Sequence, residues 1–149
     1  MDIHPLIRHA PDPDHPGWET WDLPRDGGYY ANVGKLLVRA DGPGRAVFRM
    51  FPDESHLNLE GVVHGGALMT FIDMAMFAGG TLATGAAVMG VTLDCHVRFL
   101  APVRPGSPIE AEVEVLRQSG RTLFVQGRVI QDGETVASYT GGLHRTAGA

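Results

Sequence analysis

The stretch from His64 to about Ala83 limits what this chain can fold into more than any other, because it reads as a helix that is apolar on nearly every side. Ala67, Leu68, Met69, Phe71, Ile72, Met74, Ala75, Met76, Phe77 and Ala78 leave no polar face wide enough to meet water. Such a helix is stable only when it is covered all round. In a chain of 149 residues the cover has to be a sheet wrapped around it, a second copy of the chain, or both. A bilayer would also accept it, since Met74 to Leu93 is uncharged and long enough to span one. That run is interrupted by Gly79, Gly80, Gly85 and Gly90, lacks basic anchors at its ends, and leads into amphipathic strands. A buried place in a soluble domain is therefore expected, with no membrane partner.

The rest of the chain supplies the sheet. Residues 1–27, rich in Pro and Asp, read as an N-terminal arm with one helical turn around Trp18 to Leu23, and the domain proper runs over 28–149. Tyr29 to Ala40 and Arg45 to Met50 flank the turn cluster Asp41-Gly42-Pro43-Gly44 and predict a hairpin. Pro52 to Gly61 reads as a polar loop. After the helix come four strand-like segments, Ala87–Ala101, Ile109–Gln118, Thr122–Gln131 and Thr135–Arg145, punctuated by Pro105-Gly106, Ser119-Gly120 and Asp132-Gly133. The strict alternation in Glu110-Ala111-Glu112-Val113-Glu114 gives one wet and one dry face. Two strands, a buried helix and an antiparallel run of strands make one α+β domain.

Composition excludes several classes. With a net charge of -5, whole-surface binding of nucleic acid is not expected. The single cysteine, Cys95, forbids an intrachain disulfide and any thiolate metal cluster. The N-terminus lacks the basic-then-apolar layout of a signal peptide, and together these features point to the cytoplasm.

One residue conflicts with its surroundings. Between Glu60 and Asp94 the only formally charged side chain is Asp73, where about six would be expected from a chain that is 19% charged. A lone carboxylate in an apolar helix is costly unless it is paired, protonated or used. A structural role would be a backbone cap or an arginine partner; a chemical role would be that of a general base or nucleophile. Upstream, His64-Gly65-Gly66 stands where the helix begins. Unpaired N–H groups there carry the positive end of the helix dipole, and a glycine lets a carbonyl approach closely. The same glycines are also explained by a sharp turn into the helix. Gly65 and Asp73 are about 12 Å apart along a helix, too far to act on one carbonyl from the same chain. If both act together, Asp73 comes from a second subunit.

These residues carry a family resemblance. Asn58-x-x-Gly61-x-x-His64-Gly65-Gly66 followed by Asp73 resembles the signature of hotdog-fold acyl-CoA thioesterases of the phenylacetate-degradation (PaaI-like) type. The likeness continues through Gly90–Asp94, Arg98–Pro102 and Gly120-Arg121, and covers roughly residues 28–146. It implies an antiparallel sheet wrapped around a long central helix, homodimers with shared active sites, and their pairing into homotetramers. It also implies an acyl-CoA substrate, with coenzyme A as part of the substrate and no metal or separate cofactor. By the same resemblance, Gly65 offers its N–H to the thioester oxygen, Asn58 helps to orient the carbonyl or the water, and Thr92 places the water near Asp73. His64 and Gly66 line the substrate, His64 mainly through a structural hydrogen bond at the helix entrance. Arg98 and Arg121 are candidates for the phosphates of coenzyme A, although an exposed arginine on a strand is often only a solvated face. Whether Asp73 is base or nucleophile stays open. The competing readings are an acyl-CoA-binding hotdog module without catalysis, a hotdog dehydratase, whose His/Asp or His/Glu arrangement is not found, and a purely structural domain.

Overall fold

The computed structural model describes residues 3–24 and 28–146, so the expected arm–domain boundary at 27/28 falls outside the described residues on one side. The elements are β1 (Glu19–Thr20), β2 (Leu36–Ala40), β3 (Arg45–Met50), α1 (Gly65–Thr84), β4 (Gly90–Phe99), β5 (Ile109–Ser119), β6 (Thr122–Gln131) and β7 (Glu134–Arg145). The strands form one seven-stranded antiparallel sheet in the order β1-β2-β3-β5-β6-β7-β4, and α1 lies against its inner face.

Local sequence explains the register. Asp132 and Gly133 both take positive φ and close the two-residue turn between Gln131 and Glu134, as Asp-Gly does in a hairpin. In β5, Ile109, Ala111 and Val113 point to the core, while Glu110, Glu112 and Glu114 point out and meet Arg49, Arg128 and Arg45. Helix α1 sits close to the sheet because it presents Gly79 and Gly80 there. A Cβ at Gly79 would come within 2.5 Å of Val113 Cγ2, and one at Gly80 within 2.9 Å of Leu123 Cδ2. Phe71 and Phe48 stack with ring centroids 5.6 Å apart in the centre of the core. Gly85, in the left-handed conformation, ends the helix.

The structure corrects two expectations. Trp18–Leu23 is not a helical turn. Glu19 and Thr20 pair with Val38 and Leu37 of β2, and the segment also pairs back onto residues 8–11 of the arm, so its backbone is extended. Trp18 therefore packs outside the sheet on Leu37 and Val47, while Trp21 enters the main core. Tyr29–Val33 is a short 3-10 helix rather than the start of a strand, and β2 begins only at Leu36. The sheet covers α1 as expected, and Ala78, Gly79, Gly80 and Thr81 in its C-terminal half are buried. Leu68, Phe71, Ile72, Ala75 and Met76 are buried, while Gly66 and Met69 are exposed and Asp73 is half-buried. The helix is long and apolar enough by composition to cross a membrane, yet half of its most apolar window is buried by the sheet.

Candidate active site

The site begins with the loop before α1. Asn58 Oδ1 accepts from the N–H groups of Glu60 (2.9 Å) and Val62 (3.3 Å), so its oxygen braces the loop. His56 is buried, with Nε2 against Asn32 O at 2.8 Å, and its carbonyl accepts from His64 N at 2.8 Å. His64 is thereby fixed as the cap of α1. Its Nδ1 accepts from Gly66 N at 2.8 Å, and its carbonyl accepts from Ala67 and Leu68. Four N–H groups are orphaned at a helix start. Three of these four are used here, and among the described residues only the N–H of Gly65 lacks an acceptor. The ring of Phe99, at the end of β4, lies beside Gly65, where a Cβ would stand 3.4 Å from it. The dipole of a twenty-residue helix thus ends at one free donor on a partly open surface.

Two turns along α1 stands Asp73, half-buried and facing the arm across a cavity. Thr92 Oγ1 donates to Asp73 Oδ1 at 2.6 Å, which fixes the carboxylate and leaves its second oxygen available. The neighbouring Cys95 is not a thiolate candidate. Burial raises its pKa, and the negative charges of Asp73 and Asp94 push it further in the same direction. Among the described residues no group of His, Cys, Asp and Glu side chains is placed to hold a metal ion.

The structure brings Asp73 and Thr92 together, and groups Asn58, His64, Gly65 and Gly66 around the helix entrance. Gly66's N–H is already committed to His64. Arg121 sits exposed in the β5–β6 turn, at the Asp73 end of the sheet, where its carbonyl accepts from Arg145 N. Arg98 stands apart. The register of β4 shifts between Thr92 and Asp94, so that Cys95 and Val97 face the core and Arg98 faces out beside Ser138. There it lines a polar groove of about 600 Å³ with His96, Glu112, Gln126 and Arg128, on the opposite face of the sheet from Asp73. Sequence reasoning missed a smaller cavity, about 240 Å³, between Asp73 and the arm. The signal for it was Ile3, Ile7, Trp21 and Leu23, among the apolar residues of an arm otherwise rich in Pro and Asp.

Comparison with known proteins agrees with this geometry. Residues 60–138 match the thioesterase superfamily. Acyl-coenzyme A thioesterase 13 of Homo sapiens is 32% identical over 95 residues, which are 61% of this chain and 64% of that protein. The match therefore spans a little less than two thirds of that relative. A mutant structure of the phenylacetic acid degradation protein PaaI of Thermus thermophilus has a TM-score of 0.64 at 29% identity, covering 79% of this chain and 98% of that one. The PaaI protein of E. coli has a TM-score of 0.71 at 24% identity, covering 84% and 88%, a likeness of fold. The chain belongs to the thioesterase superfamily, with the hotdog architecture of the PaaI-like branch.

Proposed function

We propose that this protein is an acyl-CoA thioesterase that hydrolyses its substrate to a free acid and coenzyme A at a site shared by two copies of the chain. The observation that carries the reading is the free Gly65 N–H at the start of α1 combined with the Thr92-held carboxylate of Asp73 two turns further on. Each lacks the other within one copy, because eight helical residues separate them by about 12 Å.

The open strand β4 supplies the geometry for sharing. Phe99 touches Gly65 near one end of β4, and Thr92 holds Asp73 near the other. Counted past the irregularity between Thr92 and Asp94, the two contacts stand three ladder positions on either side of His96. Antiparallel pairing of β4 with its copy about that point sets Thr92 opposite the other chain's Phe99, and so brings each Asp73 toward the other Gly65. The same pairing covers Met69, Phe99 and Leu100, which are 37%, 51% and 53% exposed in the single chain. Pairing of dimers into tetramers, and a cytoplasmic location, complete the proposal.

In this arrangement the thioester oxygen accepts from Gly65 N–H, where the helix dipole stabilises the charge that develops on it. Asp73 of the second copy then works in one of two ways. As a base it takes a proton from water, the hydroxide adds to the carbonyl carbon, and collapse expels the thiolate of coenzyme A, which recovers the proton. As a nucleophile it displaces the thiolate itself, and water then hydrolyses the mixed anhydride. When that water adds at the Asp73 carbonyl, a single turnover in 18O-labelled water leaves label in the Asp73 carboxylate, a result the base route does not give. No metal or redox cofactor has a part in either.

Assay of a panel of aliphatic and aromatic acyl-CoA thioesters tests the reading. Wild type is expected to turn over, with Asp73→Ala and Asp73→Asn reduced ~100-fold or more while folded. Tight acyl-CoA binding without turnover would indicate a binding module, and fully active Asp73 variants would overturn the mechanism.

A further inference from the structure

We infer that the N-terminal arm forms one wall of the acyl pocket, and that the subunit supplying Asp73 also holds the acyl group and sets its length at about six to eight carbons. This deepens the proposed thioesterase reading and rests on it. The arm lies outside the superfamily match at residues 60–138, so the superfamily match does not bear on this role.

The cavity beside Asp73 has two walls of different origin. Asp73, Met74 and Phe77 come from the side of α1 that faces the arm, and Ile3, Ile7, Trp21 and Leu23 come from the arm. Val88 and Met89, in the segment after the helix, close its end. Thr81 also borders it, but its hydroxyl oxygen already accepts from Val88 N at 3.0 Å. Apart from Asp73, His4 and the indole N–H of Trp21, every lining side chain either is apolar or has its polar atom committed in this way. A cavity walled like this favours a hydrocarbon over water, and its single carboxylate is the group proposed to act on the thioester as base or nucleophile. The larger outer groove has no such relation to the chemistry, being lined by Arg128, Glu112 and other charged residues on the far face of the sheet.

The arm is held firmly enough to act as a wall. Trp21 is buried in the main core, and Trp18 lies under the guanidinium of Arg49, 3.9 Å from the ring centroid. The buried carboxylate of Asp12 receives Lys35 Nζ at 2.6 Å. Size then sets the limit. A cavity of about 150 Å³ holds benzene, and a methylene fills roughly the 30 Å³ share of a liquid water, so about 240 Å³ takes some six to eight carbons.

The test measures kcat/KM for butanoyl-, hexanoyl-, octanoyl-, lauroyl- and palmitoyl-CoA in wild type, Ile7→Trp and Ile7→Ala. Wild type should peak at hexanoyl to octanoyl. Ile7→Trp, which fills the cavity, should lower the octanoyl-to-butanoyl ratio by at least about tenfold, the value of two buried methylenes. Ile7→Ala should move the optimum to a longer chain, an opposite change that misfolding would not produce. Turnover by all three proteins with one unchanged length profile would overturn the inference and leave the thioesterase standing. A wild type that neither hydrolyses octanoyl-CoA nor binds its non-hydrolysable thioether analogue would overturn both.

Discussion

The two edges of the sheet are built in opposite ways. On the β2 side the edge is closed by the chain itself: β1 is two residues long, Trp18 covers the outer face, Trp21 fills the inner one, and the arm folds back on β1. On the β4 side the edge is ten residues long and pairs only with β7. Val91, Leu93, Phe99 and Leu100 there are all more than half exposed. A long, apolar, unpaired edge is what a monomeric protein avoids. The contrast between a protected edge and a bare one is what supports the proposed pairing of β4 with a second copy. The groups proposed to react lie along that bare side, with Gly65 near one end of β4 and Asp73 near the other.

Substitutions can break this contrast in a graded way. The largest effect is expected from Met69→Glu, which puts a charge on the exposed side of α1 beside the open edge. It should yield folded monomers by light scattering and lower acyl-CoA hydrolysis ~100-fold or more, since neither copy then has a complete site. On the closed edge the largest change is Trp21→Ala, which removes a buried aromatic. It should cost about 3–5 kcal/mol in denaturant unfolding without changing the oligomer.

The smallest effect is a pH response of the arm. Asp12 has its carboxyl held down from 3.8 to about 2, chiefly by the hydrogen bond from Lys35 and then by His15. A depressed pKa means a contribution that is complete above about pH 4 and lost as pH falls toward 2. The melting temperature of wild type should fall across that window, and Asp12→Asn should flatten the fall. Equal slopes in the two proteins would remove Asp12 from the account of the closed edge.

Much of this was legible in the sequence because it depended on local patterns. The Asp132-Gly133 turn, the alternation through Glu110, Glu112 and Glu114, and the apolar helix with its one carboxylate all report their own surroundings. The misses depended on partners distant in the chain. Trp18 and Trp21 take opposite faces only because Glu19 and Thr20 pair with β2, and a two-residue strand has no pattern of its own. Arg98 would share a face with Thr92 by simple alternation, but the irregularity between Thr92 and Asp94 turns it to the other side. The commitment of Gly66's N–H to His64, which leaves Gly65 alone as the free donor, needed coordinates.

The central claim is that each active site takes its donor from one copy and its carboxylate from the other. Gly65→Pro deletes the donor at the first helical position, where proline is tolerated, and His64 already has the extended backbone that proline requires before it. Asp73→Asn deletes the carboxylate. Each variant alone should be nearly inactive. Unfolded and refolded together in equal amounts, they should recover about a quarter of wild-type activity, because half of randomly formed two-fold dimers carry one intact site out of two. A mixture no more active than its parts, with heterodimers demonstrably formed, would contradict the shared site.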